Sequence, residues 1–142
     1  KAIFNTLIAN GTAPRTGTDY AYMGVYNSAA QTVTSANAVI PAAATSATLT
    51  FYVSIVTSET TTVTAYDKLS VQLVDASTGS VLATLGTLSN LNKTGSSTTY
   101  ALKSYSATTY KGKTVKVRFV ATTDSSATTT FRIDDVSLKS DG

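Results

Sequence analysis

The sequence predicts an all-β domain folded as a two-sheet antiparallel sandwich. Three observations carry this. Roughly a third of the 142 residues are Ser or Thr while only 13% are charged, and Thr, Val, Tyr and Phe suit pleated, half-buried surfaces. Several segments alternate apolar and polar residues with a period of two, the pattern of a strand buried on one face. Turn residues separate these segments at sandwich spacing, with no internal repeat. A chain of this length buries about two-thirds of its surface around a single core, so one domain over residues 1–142 is expected.

Taken in order, residues 3–9 read as a short strand before the turn-rich stretch Asn10–Gly17. Tyr20, Tyr22 and Gly24 then alternate with small residues. Residues 31–40 read as extended and end at Pro41. Between 48 and 56, Leu49, Phe51, Val53 and Ile55 share one face; between 68 and 74, Leu69, Val71 and Leu73 do the same. Asp75 to Ser80 has the composition of a hairpin turn, Asp first and Gly late, which makes Asp75 a turn residue and not a ligand. Strands follow at 81–85 and 98–105, a single helical turn closed by Gly112 at 107–112, and strands at 114–121 and 129–138. The loops 57–67 and 86–97 are longer than hairpins require and are the natural places for function.

The last strand, Phe131 to Leu138, carries an irregularity. Phe131 and Ile133 form one apolar phase, Val136 and Leu138 another, and Asp134-Asp135 stands where the phase slips. A slip of one residue requires a bulge, and bulges re-aim side chains near sites.

Composition excludes several chemistries. There is no histidine, cysteine or tryptophan, which removes the usual general base near neutral pH, thiol nucleophiles, disulfides and thiolate zinc sites. No apolar run approaches the roughly 20 residues of a membrane span. The net charge of +3 is small. Lys103, Lys111, Lys113, Lys116 and Arg118 form the one dense basic group, with Lys116 and Arg118 on the strand face opposite Val115, Val117 and Phe119. This reads as a solvated sheet face, and no nucleic-acid partner is expected.

Eight acids are present, and their placement is uneven. Glu59 and Asp67 bracket one long loop and Asp124 lies in the last interstrand loop. If strands 48–56 and 114–121 run toward the same end of the sandwich, the three converge. Calcium takes six to eight oxygen ligands, which carboxylates, hydroxyls and backbone carbonyls of such loops supply. The alternative is that Asp67 and Asp124 cap turns and Glu59 is solvated. A carboxylate pair for glycoside hydrolysis has poor support from one Glu in a Thr-rich loop, so no enzyme is expected. Among eight tyrosines, Tyr26 and Tyr66 lie nearest loops and are the candidates for stacking on a sugar ring or peptide. Asn10-Gly11-Thr12 and Asn92-Lys93-Thr94 match the short, common glycosylation pattern.

A resemblance adds to this reading. It is carried by Tyr20-Ala21-Tyr22-Met23-Gly24, Ala47–Val53, Glu59-Thr60-Thr61 with Tyr66–Val71, Val81–Leu85, Tyr110–Val115, and Thr123–Ser126 ahead of Phe131–Leu138. The run from Tyr20 to Leu138 resembles a jelly-roll β-sandwich domain of secreted bacterial proteins, often a C-terminal accessory beside subtilisin-like or related peptidases. It is similar in build to MAM domains and galactose-binding-like carbohydrate-binding modules. The resemblance implies a two-sheet antiparallel jelly roll. Such domains begin with an Asn-Gly-Gly-Phe-Glu-like strand that is absent here. Ile3–Ala9 takes its place, the chain is a piece of a longer one, or another subunit donates the strand. In the resembled modules an aspartate of the Asp-Asp-Val-Ser-Leu stretch helps hold structural calcium. By that likeness Asp134 and Asp135 form a second calcium candidate with Gly17, Thr18 and Asp19, where Asp19 compensates for the missing N-terminal acid. The alternative is that the doublet bonds Arg132, Arg15 or loop amides.

The function expected is a non-catalytic, secreted or cell-surface accessory domain that recognises a glycan or extracellular protein polymer, with a catalytic domain in the parent chain and calcium-stabilised loops. The alternative is a self-assembling subunit of an extracellular fibre or surface layer, built by strand complementation.

Overall fold

The computed structural model describes residues 2–4, 21–23, 30–35, 37–125 and 127–141. Ten strands occupy them: β1 Ala2–Phe4, β2 Ala21–Met23, β3 Ala30–Thr34, β4 Ala38–Val39, β5 Ser46–Thr57, β6 Lys68–Asp75, β7 Val81–Ser89, β8 Ala101–Ser106, β9 Thr114–Thr122 and β10 Thr129–Asp141. Two single-turn 3₁₀ helices, Asn90–Asn92 and Thr108–Tyr110, are the only helical pieces among them. All pairings are antiparallel. One sheet runs β1-β10-β5-β8, with β2 also on β10; the other runs β3-β9-β6-β7, with β4 also on β9. The molecule is the antiparallel jelly-roll sandwich that the sequence predicts.

The alternating segments are the interior. Leu49, Phe51, Val53 and Ile55 of β5, Leu69, Val71 and Leu73 of β6, and Val115, Val117 and Phe119 of β9 are all fully buried. Period-two spacing puts each set on one face of its strand, and stacking two such faces removes both from water. Phe51 meets Phe119 across the sandwich edge to face, with ring centroids 5.1 Å apart and planes at 83°, a favoured aromatic geometry.

The phase slip in β10 is a bulge, as expected. Asp134 pairs with Tyr52 and Ser137 with Thr50, so Asp135 and Val136 together oppose Phe51. Asp135 sits at φ 51°, the only non-glycine residue described in the left-handed region. Phe131, Ile133, Val136 and Leu138 are consequently all buried on the same side.

The hairpin at 75–80 also follows expectation. Asp75 Oδ1 accepts from the Ser77 hydroxyl and from the Ser77 and Thr78 amides at 2.7, 2.9 and 3.1 Å, and Gly79 takes φ 77°. The Ser77 hydroxyl, followed by the two amides, holds the Asp75 carboxyl below its ordinary value. The one-turn helix before β9 is present, with Gly112 at φ 85°.

Elsewhere the boundaries move. The extended segment 31–40 divides into β3 and β4, because Ser35 inserts its own side chain into the ladder. Its Oγ accepts from the Val117 amide at 2.9 Å while its amide donates to the Val117 carbonyl at 2.8 Å. β7 continues four residues past Leu85, so the loop expected from 86 starts only after Ser89. Of the strand read at 3–9, Ala2–Phe4 pairs with the Leu138–Lys139 end of β10; residues 5–20 lie outside the described residues. No helix among the described residues is long and apolar enough to cross a membrane.

Candidate metal and ligand site

One end of the sandwich gathers the acidic residues. β5 ends at Thr57, which pairs with Thr129 at the start of β10. β6 starts at Lys68, which pairs with Thr122 at the end of β9. The loops leaving those strands therefore meet at the same end from opposite sheets. Glu59, Asp67 and Asp124 meet there, each offering a carboxylate oxygen within 4.8 Å of the others. Glu59 and Asp67 are buried and Asp124 is half-buried. Convergence of these three is the arrangement expected from strand direction.

Asp67 is the centre of the cluster. Its Oδ1 accepts from the Asp124 amide at 2.9 Å and its Oδ2 from the Thr129 hydroxyl at 2.5 Å. Thr129 Oγ1 lies 2.7 Å from Thr57 Oγ1, which in turn accepts from the Glu59 amide at 2.9 Å. The hydroxyls thus fix the loop entrance that carries Glu59 and the carboxylate of Asp67 together. Thr57, Thr129 and Asn90 escape sequence reasoning. Nothing separates two functional threonines from the 28 in the chain, and Asn90 looks like an ordinary loop residue.

Asn90 nevertheless braces the second long loop element of the site. Its Oδ1 accepts from the amides of Tyr66 and Asp67 at 2.9 and 3.1 Å, and its Nδ2 donates to the Thr64 carbonyl at 3.0 Å. A buried amide side chain that replaces three backbone partners satisfies groups that would otherwise stay unpaired in a turn. The brace sets the 63–67 segment against the 3₁₀ turn that carries Leu91. Val63, Tyr66 and Leu91 remain 82%, 48% and 39% exposed, three of the six large hydrophobic side chains exposed among the described residues.

The donor set fits a hard divalent cation. Oxygens bound to one calcium at 2.3–2.6 Å lie at most about 5 Å from each other, and the three carboxylates satisfy that limit. The chain holds no histidine or cysteine to favour a softer metal.

The other sequence candidates fall elsewhere. Asp134 lies five residues along β10 from Thr129, roughly 17 Å at strand rise, so the doublet and the triad are separate places. Asp134 Oδ1 accepts from the Asp135 amide at 2.8 Å, which gives the doublet a backbone role at the bulge. Asp19, its expected partner, and Tyr26 lie outside the described residues, as do Gly17 and Thr18. The loop after β7 serves mainly as a strap: Thr94 Oγ1 accepts from the Ile55 amide at 3.0 Å, the Thr94 amide donates to the Ile55 carbonyl at 2.9 Å, and Ser54 Oγ donates to the Ser96 carbonyl at 2.9 Å. These bonds extend the edge of β5 beyond β8. They also occupy Thr94 of the Asn92-Lys93-Thr94 pattern, while Asn92 Oδ1 accepts from the Ser89 amide at 2.9 Å.

No protein-family model matches the sequence, and no curated protein matches it. Solved structures do resemble it. A family 61 carbohydrate-binding module, solved with β-1,4-galactotriose, matches 89% of this chain and 73% of its own at 12% identity, with a TM-score of 0.56. A family 35 carbohydrate-binding module from an environmental isolate matches 98% of this chain and 90% of its own at 18% identity, with a TM-score of 0.49. Similarity at these identities speaks to the fold, and the first of the two carries that argument.

Proposed function

We propose that the chain is a non-catalytic carbohydrate-binding accessory domain of a secreted or cell-surface protein, which binds its glycan on the loops around Tyr66 and holds calcium at Glu59, Asp67 and Asp124. The observation that carries the reading is the half-exposed Tyr66, directly preceding Asp67 in the loop segment that Asn90 braces, a segment that also exposes Val63. A sugar ring offers an apolar face and a rim of hydroxyls. An exposed aromatic in a loop that also carries the exposed Thr62 and Thr64 complements both. The fold likeness to a module solved with a galactotriose supports a neutral β-linked polysaccharide as the ligand class. Calcium, where bound, supplies a fixed positive charge that draws the loops of the two sheets together. Asp134 and Asp135 serve in this reading as the bulge of β10.

Three of the described strand edges support this reading over a strand-complemented fibre. β7 is irregular at two places in its pairing with β6. β8 carries Lys103 in register with the inward-facing Phe51, and the β3–β4 edge is broken at Ser35. Bulges, inward charges and short strands are the features that stop edge-to-edge pairing.

Affinity electrophoresis through β-1,4-galactan and other neutral polysaccharides, with calcium present, tests the proposal. At least one polymer should retard the chain, and Tyr66→Ala should lose about fivefold or more in affinity, the loss expected of a contact aromatic worth about 1 kcal/mol or more. Free migration through every polymer, or an unchanged Tyr66→Ala, rejects it.

A further inference from the structure

The outer face of the β3-β9-β6-β7 sheet separates charge in a way the carbohydrate reading leaves unused. Val115, Val117 and Phe119 point inward and are buried, so Lys116 and Arg118 point outward from β9. Leu69 and Val71 point inward on β6, so Lys68 points outward. Arg118 pairs with Gln72 and with Thr34, and Thr122 with Lys68. Two cations thus stand side by side on this face, Lys116 and Arg118 about 7 Å apart, while Lys68, roughly 14 Å farther along at strand rise, lies at the acidic end next to Asp67. The one carboxylate on these strands, Asp75, pairs in register with inward-facing Val115 at the strand end, and its Oδ1 is held by Ser77 and Thr78. Glu59, Asp67 and Asp124 gather at the Lys68 end of this sheet, away from Lys116 and Arg118, and the remaining described acids lie on β10.

Arg118 is also oriented. Its Nε donates to Gln72 Oε1 at 2.9 Å, which lays the guanidinium across the sheet toward its neighbours. A guanidinium fixed in this manner presents a planar fork to an oxyanion with little further entropy cost.

We propose that this face is a second binding surface, for a sulfated polysaccharide. Charge complementarity selects a polyanion. Among the described residues the face carries no aromatic on which a base could stack, which disfavours a nucleic acid. Hydroxyls of Thr34 and Ser70 and the Gln72 amide beside the cations suit a sugar chain. A half-buried guanidinium is weakly hydrated and pairs more readily with a weakly hydrated sulfate ester than with a strongly hydrated carboxylate. Lys116 and Arg118 lie four to six residues along β9 from Thr122, whose partner Lys68 adjoins Tyr66, so the two sites can be tested separately.

Affinity electrophoresis of the intact chain through dextran sulfate, polygalacturonate and neutral galactan is the test, with a single-stranded oligodeoxynucleotide as competitor. Dextran sulfate should retard the chain most, with the effect collapsing as salt is raised. The Lys116→Gln/Arg118→Gln variant should bind dextran sulfate about tenfold more weakly, on the scale of two surface cations facing an anionic polymer. Its thermal midpoint and its behaviour in galactan should match the parent, and Tyr66→Ala should bind dextran sulfate as the parent does. Equal retention of the double variant and the parent on dextran sulfate overturns the proposal. So does polygalacturonate or the oligonucleotide binding as strongly as dextran sulfate.

Discussion

Asp135 shows how much one backbone angle decides. At φ 51° an ordinary L-residue costs about 1–2 kcal/mol, and only Gly, Asn and Asp accept the region readily. The bulge nonetheless requires it, because Asp135 and Val136 must fit opposite a single residue if Phe131, Ile133, Val136 and Leu138 are all to face the core. Asp135→Val, β-branched and forced into the same angle, should destabilise the domain by about 1–2 kcal/mol. That is roughly 2–8 °C in midpoint for a domain of this size. Asp135→Gly should stay within about 1 kcal/mol of the parent by denaturant titration. Equal loss in both variants would assign the residue's importance to its carboxylate and not to its angle. This position was legible in the sequence, since two apolar phases separated by a polar doublet permit few other solutions. Asp75 was legible for a related reason: its turn type writes itself in residue order. Thr129 and Asn90 were not, because a hydroxyl or an amide used inside a network has the same sequence context as one facing water.

Among the elements, β5, β6, β9 and β10 follow directly from period-two alternation, whereas β7 does not. The extra residues at its two irregularities are Leu85 and Leu82, which fall between Gly86 and Thr84 and between Ala83 and Val81 in the pairing with β6. A strand with two such residues loses its alternation, so its continuation past Leu85 is invisible to a period-two reading. The same irregular strand meets β8 through Gly86. A Cβ there would lie 2.6 Å from Tyr105 Cε1 and 2.7 Å from its Cζ and hydroxyl. Tyr105 has limited freedom to withdraw, as its ring packs on Phe51 at 6.1 Å. Gly86→Ala should therefore cost about 1–3 kcal/mol by overpacking, and the cost should shrink when Tyr105 is also replaced by Leu, a coupling that a double-mutant cycle measures. A full cost that persists without the tyrosine would place the strain in the β7 backbone. The strap at 94–96 was hidden in a different way. Thr94 uses a side-chain hydroxyl where a strand would use its backbone, and no propensity or periodicity records that substitution.

At the scale of the whole molecule, two ties hold the sheets together, and they differ in character. The first is the apolar interior, centred on Phe51 and Phe119. The second is polar and lies at one end, where Asp67 at the entrance to β6 accepts from Thr129 of β10 and from Asp124 after β9. Three carboxylates within 4.8 Å repel one another by roughly 3 kcal/mol per pair at an effective dielectric near 20. A divalent cation turns this repulsion into attraction and adds its binding energy to folding by mass action. Free calcium at 100 times its dissociation constant is worth about 2.7 kcal/mol, or roughly 5–11 °C here. Calorimetric scans with calcium, and then with excess chelator, should show such a rise and its reversal. Asp124→Asn should blunt the rise, since it removes a charge while keeping the Asp124 amide bond to Asp67. Asp134→Asn should leave it intact, because the doublet sits roughly 17 Å along β10 from Thr129. A response lost in Asp134→Asn and kept in Asp124→Asn would move the ion to the bulge. The absence of any calcium response would leave the triad as a structural clasp held by Thr57, Thr129 and the Asp124 amide, with the proposed glycan contact at Tyr66 then independent of metal.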